Sequence, residues 1–199
     1  MATNRAAVLN PQQIDKTIQF IRKESDFPER DELMLLLSHL AGLRVSEIVK
    51  LDIGTAFLDA SGRIPAREGD RYITILSNVG KKSKERVIPM HPRIADAIKA
   101  FMKRHPDLNY VAFSPRNNFA RASVNGITLW FWNLYRKVGL QNCSSHSGRR
   151  SFATRTARML NQHGQSIKDL QNLLGHSRLE TTEAYLEPTN QTRSMIASL

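Results

Sequence analysis

A chain of 199 residues can bury one ordinary core and leaves little room for a second full domain, so a single domain over residues 1–199 is expected. A formal charge of +11 and a pI near 10.2 point to a polyanionic partner, because each Lys or Arg that neutralises a phosphate releases condensed counterions. A lone Cys143 rules out an internal disulfide, and with no apolar run of ~18 residues and no leader-like segment the chain is expected to be cytoplasmic, without a membrane contact.

Residues 1–9 read as a flexible N-terminus. Asn10-Pro11 offers a cap and a first-turn proline, and Ile14, Ile18 and Ile21 recur on one face, which predicts a helix over 11–23. Residues 31–41 are nearly all apolar from Leu33 to Leu37, which predicts a helix buried on most sides and stopped by Gly42. Ser46 is the expected cap of a short helix ending at Lys50, with Glu47 in its first turn. Between Leu51 and Met90 the pattern changes to short runs bounded by turn residues, the clearest at Tyr72-Ile73-Thr74-Ile75-Leu76 and Arg86-Val87-Ile88-Pro89. This predicts a small three-stranded antiparallel sheet, with Lys81, Lys82 and Lys84 in the connection before its last strand.

The remainder predicts helices over 91–104, 124–138, 146–161, 166–174 and 178–186, punctuated by Gly139, Gly164 and Gly175. Residues 117–123 read as a loop, with Arg116 and Arg121 available to phosphates. The fold class is α+β, mainly α: a helical domain carrying one small sheet.

The chemistry concentrates near the C-terminus. His146 and Arg149 lie three apart on one predicted helix face, His176 follows Gly175, and Tyr185 comes nine residues later. A tyrosine hydroxyl with a pKa of about 10 attacks phosphorus poorly unless fixed donors hold the phosphate. Arginine supplies a planar, permanently charged fork, and histidine moves protons near neutral pH. Taken singly, these residues read as a solvated helix face, a capping histidine, a half-buried core aromatic and, for Arg44 with Glu47, a surface ion pair. Together they read as a phosphodiester site with a nucleophile. Clustered carboxylates for a two-metal nuclease, zinc-ligand spacing and a glycine-rich phosphate loop are all missing from the sequence, so neither a metal nor another cofactor is expected.

These motifs resemble the tyrosine recombinases, or phage integrase family. The match rests on His146-Ser147-Gly148-Arg149, on Leu174-Gly175-His176 with Tyr185, on Ala41-Gly42-Leu43-Arg44-Val45-Ser46-Glu47, and on the stretch from Gly80 to Pro89. The resemblance covers about residues 30–188 and implies an integrase-like catalytic domain. It implies Arg44, Lys81, His146, Arg149, His176 and Tyr185 as catalytic residues, with Glu47 in support. Lys82 stands where family members commonly have glycine, and it shares the candidacy of Lys81. Lys82, Lys84, Arg86, Arg116, Arg121 and Arg150 are the expected DNA contacts.

The activity the resemblance implies is site-specific DNA recombination through a 3′-phosphotyrosyl intermediate, without a cofactor. Its alternatives are a type IB topoisomerase and a non-catalytic DNA-binding regulator on the same fold. The expected partners are double-stranded DNA and further copies of the chain, as a tetramer on DNA, with association to the nucleoid when bound. Only about 30 residues precede the helix before Arg44, so no separate N-terminal core-binding domain is expected. An accessory protein that supplies this half of the clamp remains open beside a naturally minimal enzyme and a catalytic fragment. Residues 187–199, with Met195, Ile196 and Leu199 at helical spacing, are expected to dock on a neighbouring protomer or on their own domain.

Overall fold

The computed structural model describes residues 6–77, 85–183 and Tyr185. Helix α1 (Pro11–Glu24) begins as its sequence dictates: the Asn10 side chain accepts the Gln13 N–H, and the Gln13 side chain accepts the Asn10 N–H in return. Its buried face is Ile14, Thr17, Ile18 and Ile21. Helix α2 (Pro28–Leu40) is the centre of the molecule and packs against α1, α5 (Pro92–Arg104) and α7 (Ser147–Met159). Leu33 through Leu37 are all inaccessible to solvent, and each such side chain contributes about 1.5–3 kcal/mol of apolar burial. Helix α2 starts three residues earlier than predicted, at Pro28, because proline suits a first turn. Arg30 on that turn lies over the rings of Phe27 and Phe113.

Gly42, at φ +65°, ends the helix segment, and a side chain there would meet the Phe152 ring at 2.5 Å. Leu43 then turns inward, and α3 (Val45–Lys50) is capped by Arg44 rather than by Ser46. The reason is Glu47, whose carboxylate accepts the Arg44 N–H at 2.8 Å and so fixes Arg44 one step outside the helix.

The expected three-stranded sheet is replaced, among the described residues, by two separate two-stranded ones. Strands β1 (Tyr72–Ile75) and β2 (Arg86–Pro89) pair antiparallel from Tyr72 opposite Pro89 to Ile75 opposite Arg86. No third strand joins them from 51–71, because Asp52 caps a helical turn, α4 (Ile53–Phe57), and Asp59 then binds Ser61 and Arg63 in a polar turn without alternation. The segment expected as a loop at 117–123 instead contains β4 (Ala120–Arg121), paired with β3 (Phe113–Ser114) across a left-handed turn at Asn118 and Phe119. The Phe119 ring holds this turn against Phe113 and Phe27.

Helix α6 (Val124–Lys137) buries Ile127, Phe131, Leu134 and Tyr135. Helix α7 meets α2 through small side chains, and a Cβ on Gly148 would lie 2.1 Å from Ser38 Oγ. That close approach brings Arg149 on α7 beside Arg44, which follows α2 at the cap of α3. After α7, a short 3-10 turn and Gly164 at φ +63° lead into α8 (Ile167–Leu174), and α9 (Glu180–Glu183) carries the chain to Tyr185. Leu160, Leu170 and Leu174 pack with Ala153 and Ala157 into a second apolar cluster, against which Tyr185 rests. Among the described residues, no helix is long and apolar enough to cross a membrane.

Candidate active site

Glu47 organises the site. Its carboxylate is fully buried and accepts a two-pronged bond from Arg86, 3.0 Å on each oxygen. It also accepts Arg44 Nη1 at 3.0 Å and lies 3.9 Å from Arg149 Nη1. Burial alone would raise its pKa. The Arg86 bonds and charge, the Arg44 N–H and the charge of Arg149 outweigh that and hold it at about 2. One anion faces three guanidinium groups, so the cluster keeps a net positive charge and suits a second anion.

The arginines are held by helix ends as well as by Glu47. Arg149 donates Nη1 to the Gly42 carbonyl and Nη2 to the Leu174 carbonyl, each at 2.6 Å, and Arg86 donates Nε to the Leu173 carbonyl at 2.9 Å. Carbonyls at the end of α8 lack helical partners and carry partial negative charge, so two cations there satisfy both needs. Gly175 ends α8 at φ +63°, and a Cβ there would press to 3.0 Å from Arg86 Nη1. Burial, and then the charge of Arg44, lowers the pKa of Arg149 to about 9, which leaves it protonated at pH 7. Arg44 is the most exposed of the three, its side chain 35% accessible against 7% for Arg149 and 6% for Arg86.

His176 and Tyr185 close one side. Nδ1 of His176 is 2.9 Å from Thr182 Oγ1, and its ring stacks on Tyr185 with centroids 6.2 Å apart and planes at 16°. Burial lowers the His176 pKa to about 4, helped by the charges of Arg149, Arg44 and Arg86, so the ring is neutral at pH 7. An ionised Tyr185 would lie near enough to Arg149 to favour the guanidinium charge. His146 is exposed at the N-terminus of α7, one turn before Arg149, with Nδ1 3.4 Å from Ser145 Oγ.

The fold thus gathers Arg44, Glu47, Arg149, His176 and Tyr185 into one cluster and leaves His146 at its exposed edge. Lys81, Lys82 and Lys84 lie outside the described residues, as does the tail 187–199. Arg86, expected to contact DNA, is 8% exposed and turned inward, where its guanidinium binds Glu47. The signal was available: in a strand, Arg86 and Ile88 share a face, and Ile88 is core. Of the other expected DNA contacts, Arg116 is exposed on a 3-10 turn. Arg121 donates to the Val49 carbonyl at 2.8 Å and lies over the Tyr110 ring, and Arg150 donates to the Ala6 carbonyl at 2.5 Å. Gln171, buried against His176, carries no motif signal, and Thr182 has none beyond its place in the Thr-Thr-Glu-Ala-Tyr run that ends at Tyr185. Among the described residues, no group of three or more His, Cys, Asp or Glu is placed to hold a metal ion.

The sequence and the fold have parallels among known proteins. Tyrosine recombinase XerA of Pyrococcus horikoshii is 33% identical over 164 residues, 81% of this chain and 52% of the relative. XerD of Neisseria meningitidis is 28% identical over 205 residues, 94% of this chain and 65% of the relative. The chain therefore spans about half of the XerA relative and about two thirds of XerD. In fold it matches the crystal structure of XerA recombinase with a TM-score of 0.69 at 23% identity, over 96% of this chain and 64% of that one. It matches the Tn1549 transposon integrase, in complex with circular intermediate DNA, with a TM-score of 0.74 at 21% identity, over 99% of this chain and 68% of that one. The model of the phage integrase family matches residues 7–192, and with the arginine, histidine and tyrosine cluster in place the chain belongs to that family.

Proposed function

We propose that this protein is a site-specific DNA recombinase that cuts and rejoins DNA through a 3′-phosphotyrosyl intermediate. The observation that carries the reading is the convergence of Arg44 and Arg149 on Glu47 beside the stacked His176–Tyr185 pair. In this reading a scissile phosphate sits over the two arginines, whose N–H groups beyond those spent on Glu47 and on helix carbonyls hold its non-bridging oxygens. Stabilising charge that develops there is usually the largest catalytic contribution. Tyr185 Oη attacks phosphorus in line and forms the phosphotyrosyl ester, while the bond to the 5′ oxygen breaks. Lys81 protonates the departing oxygen, His146 takes the tyrosine proton, and His176 donates a hydrogen bond to the phosphate. One phosphoester replaces another, so rejoining needs no cofactor.

Double-stranded DNA as the partner is supported by the net charge of +11 and by the DNA complexes of the matched proteins, the Tn1549 integrase with circular intermediate DNA and XerH with its difH substrate. We extend the reading to a homo-oligomer on DNA, a tetramer in the recombining complex, in the cytoplasm and on the nucleoid. The test is a nicked suicide substrate from which the cleaved 5′ end diffuses away. Wild-type protein is expected to accumulate a covalent adduct, and Tyr185→Phe none. An adduct formed by Tyr185→Phe refutes the assignment of the nucleophile. Relaxation of a plasmid without paired sites indicates a topoisomerase instead.

A further inference from the structure

Thr182 is fully buried in α9 and joins two functional groups. Its hydroxyl is 2.9 Å from His176 Nδ1, and its carbonyl accepts the Tyr185 N–H at 3.0 Å. The histidine backbone is clamped by Gln171, whose Nε2 donates to the His176 carbonyl at 3.0 Å and whose backbone carbonyl accepts the His176 N–H at 3.1 Å. Nδ1 is therefore committed to the protein, and Nε2 is the ring nitrogen left to meet a ligand.

A neutral imidazole carries one N–H. With that proton on Nδ1, the ring would donate to Thr182 Oγ1, and the buried hydroxyl proton would need another acceptor. Among the described residues, His176 Nδ1 is the hydroxyl's hydrogen-bond partner. A buried donor without an acceptor is disfavoured, so the satisfied arrangement has the hydroxyl donating to Nδ1 and the ring proton on Nε2. We infer that Thr182 is a positioning residue that fixes His176 as the Nε2–H tautomer, so that the histidine offers a phosphate oxygen a donor and not a lone pair. The functional half of this inference rests on the reading of His176 as a phosphate ligand. Burial and the neighbouring arginines keep the ring neutral at pH 7, the condition under which a tautomer must be selected at all.

The test separates the tautomer from the activity. Nitrogen NMR of the imidazole in the DNA-free protein at pH 7 is compared for wild type, Thr182→Val, which keeps the shape but removes the hydroxyl, and Thr182→Ser, which restores it. Wild type and Thr182→Ser are expected to show the proton on Nε2, and Thr182→Val a mixture of both tautomers. On a suicide substrate, single-turnover cleavage by Thr182→Val is expected to slow about tenfold and by Thr182→Ser little, the effect of about one hydrogen bond to the transition state. In a His176→Ala background the valine change should add nothing. The inference is overturned by a wild-type ring protonated on Nδ1, by nitrogen signals unchanged in Thr182→Val, or by an equal slowing when His176 is already removed. The expected nitrogen pattern in a wild-type protein that forms no adduct supports the tautomer role and places the failure in the proposed activity.

Discussion

Replacing Glu47 by glutamine removes the carboxylate shared by Arg44, Arg86 and Arg149 while keeping the shape of the side chain. The carboxyl titrates at about 2 in the folded protein against 4.5 ordinarily. At ~1.36 kcal/mol per pH unit, that difference corresponds to about 3 kcal/mol of stability. The figure agrees with the ~3–5 kcal/mol lost when one partner of a buried ion pair is removed. Because the folded pKa is the lower one, this stability is fully present above pH 4.5 and drains away as the pH falls toward 2. Glu47→Gln is therefore expected to melt about 6–12 °C below wild type at pH 7, on a slope of ~2–4 °C per kcal/mol for a chain of this size. The gap should close as both proteins are taken to pH 2–3. The assay is a set of thermal and urea melts across that range, with sulfate added as a substitute anion. Sulfate is expected to recover more stability in the variant than in wild type. A Glu47→Gln protein that melts within 2 °C of wild type at pH 7, or a gap that persists unchanged at pH 2, refutes the idea that this carboxylate neutralises the cluster.

How much of this arrangement can be read from sequence depends on the distance over which each contact is made. Helices α1 and α2 are legible because the periodicity of Ile14, Ile18 and Ile21 and the run Leu33 to Leu37 report directly on burial. The pairing of Arg44 with Glu47 is legible because three residues on a helix end bring them together. The bond from Arg86 to the same carboxylate spans 39 residues, and nothing local announces it except the inward alternation shared with Ile88. Helix α4 is not legible because its signal is a single Asp52 cap over five residues, too short for a period to show. The pair β3 and β4 is hidden from the sequence because each strand is two residues long and the turn depends on left-handed Asn118 and Phe119, the latter an uncommon residue for that conformation. The motifs around His146, Arg149, His176 and Tyr185 named the cluster, yet the residues that hold His176, Gln171 and Thr182, sit in positions whose burial appears only in three dimensions.

Two further outcomes follow from these contacts. Arg86→Met should slow covalent adduct formation at least tenfold by freeing Glu47 to draw Arg44 and Arg149 out of place, an effect of ~1.4 kcal/mol or more. It should leave the salt dependence of DNA binding unchanged, because a buried arginine releases no counterions, whereas Arg116→Ala should reduce the slope by about one ion. Equal slope changes for the two variants, measured by fluorescence anisotropy across a salt series, would return Arg86 to the DNA surface. The second outcome concerns Gly148. A methyl group there would collide with Ser38 Oγ and stand 2.8 Å from Ser38 Cβ and 3.0 Å from His39 Cδ2, so α7 must move away from α2 or both side chains must shift. Such overpacking costs about 1–3 kcal/mol. The displacement matters more than the cost, because Arg149 follows directly on Gly148 and its 2.6 Å bond to the Gly42 carbonyl ties α7 to the segment between α2 and Arg44. Gly148→Ala is thus expected to lose cleavage by a larger factor than its melting temperature would suggest, and Ser38→Gly, which clears the two nearest atoms and leaves His39 Cδ2 at 3.0 Å, should restore both in part and together. Recovery of stability without recovery of cleavage would show that the spacing of α2 and α7 does not set the arginine geometry.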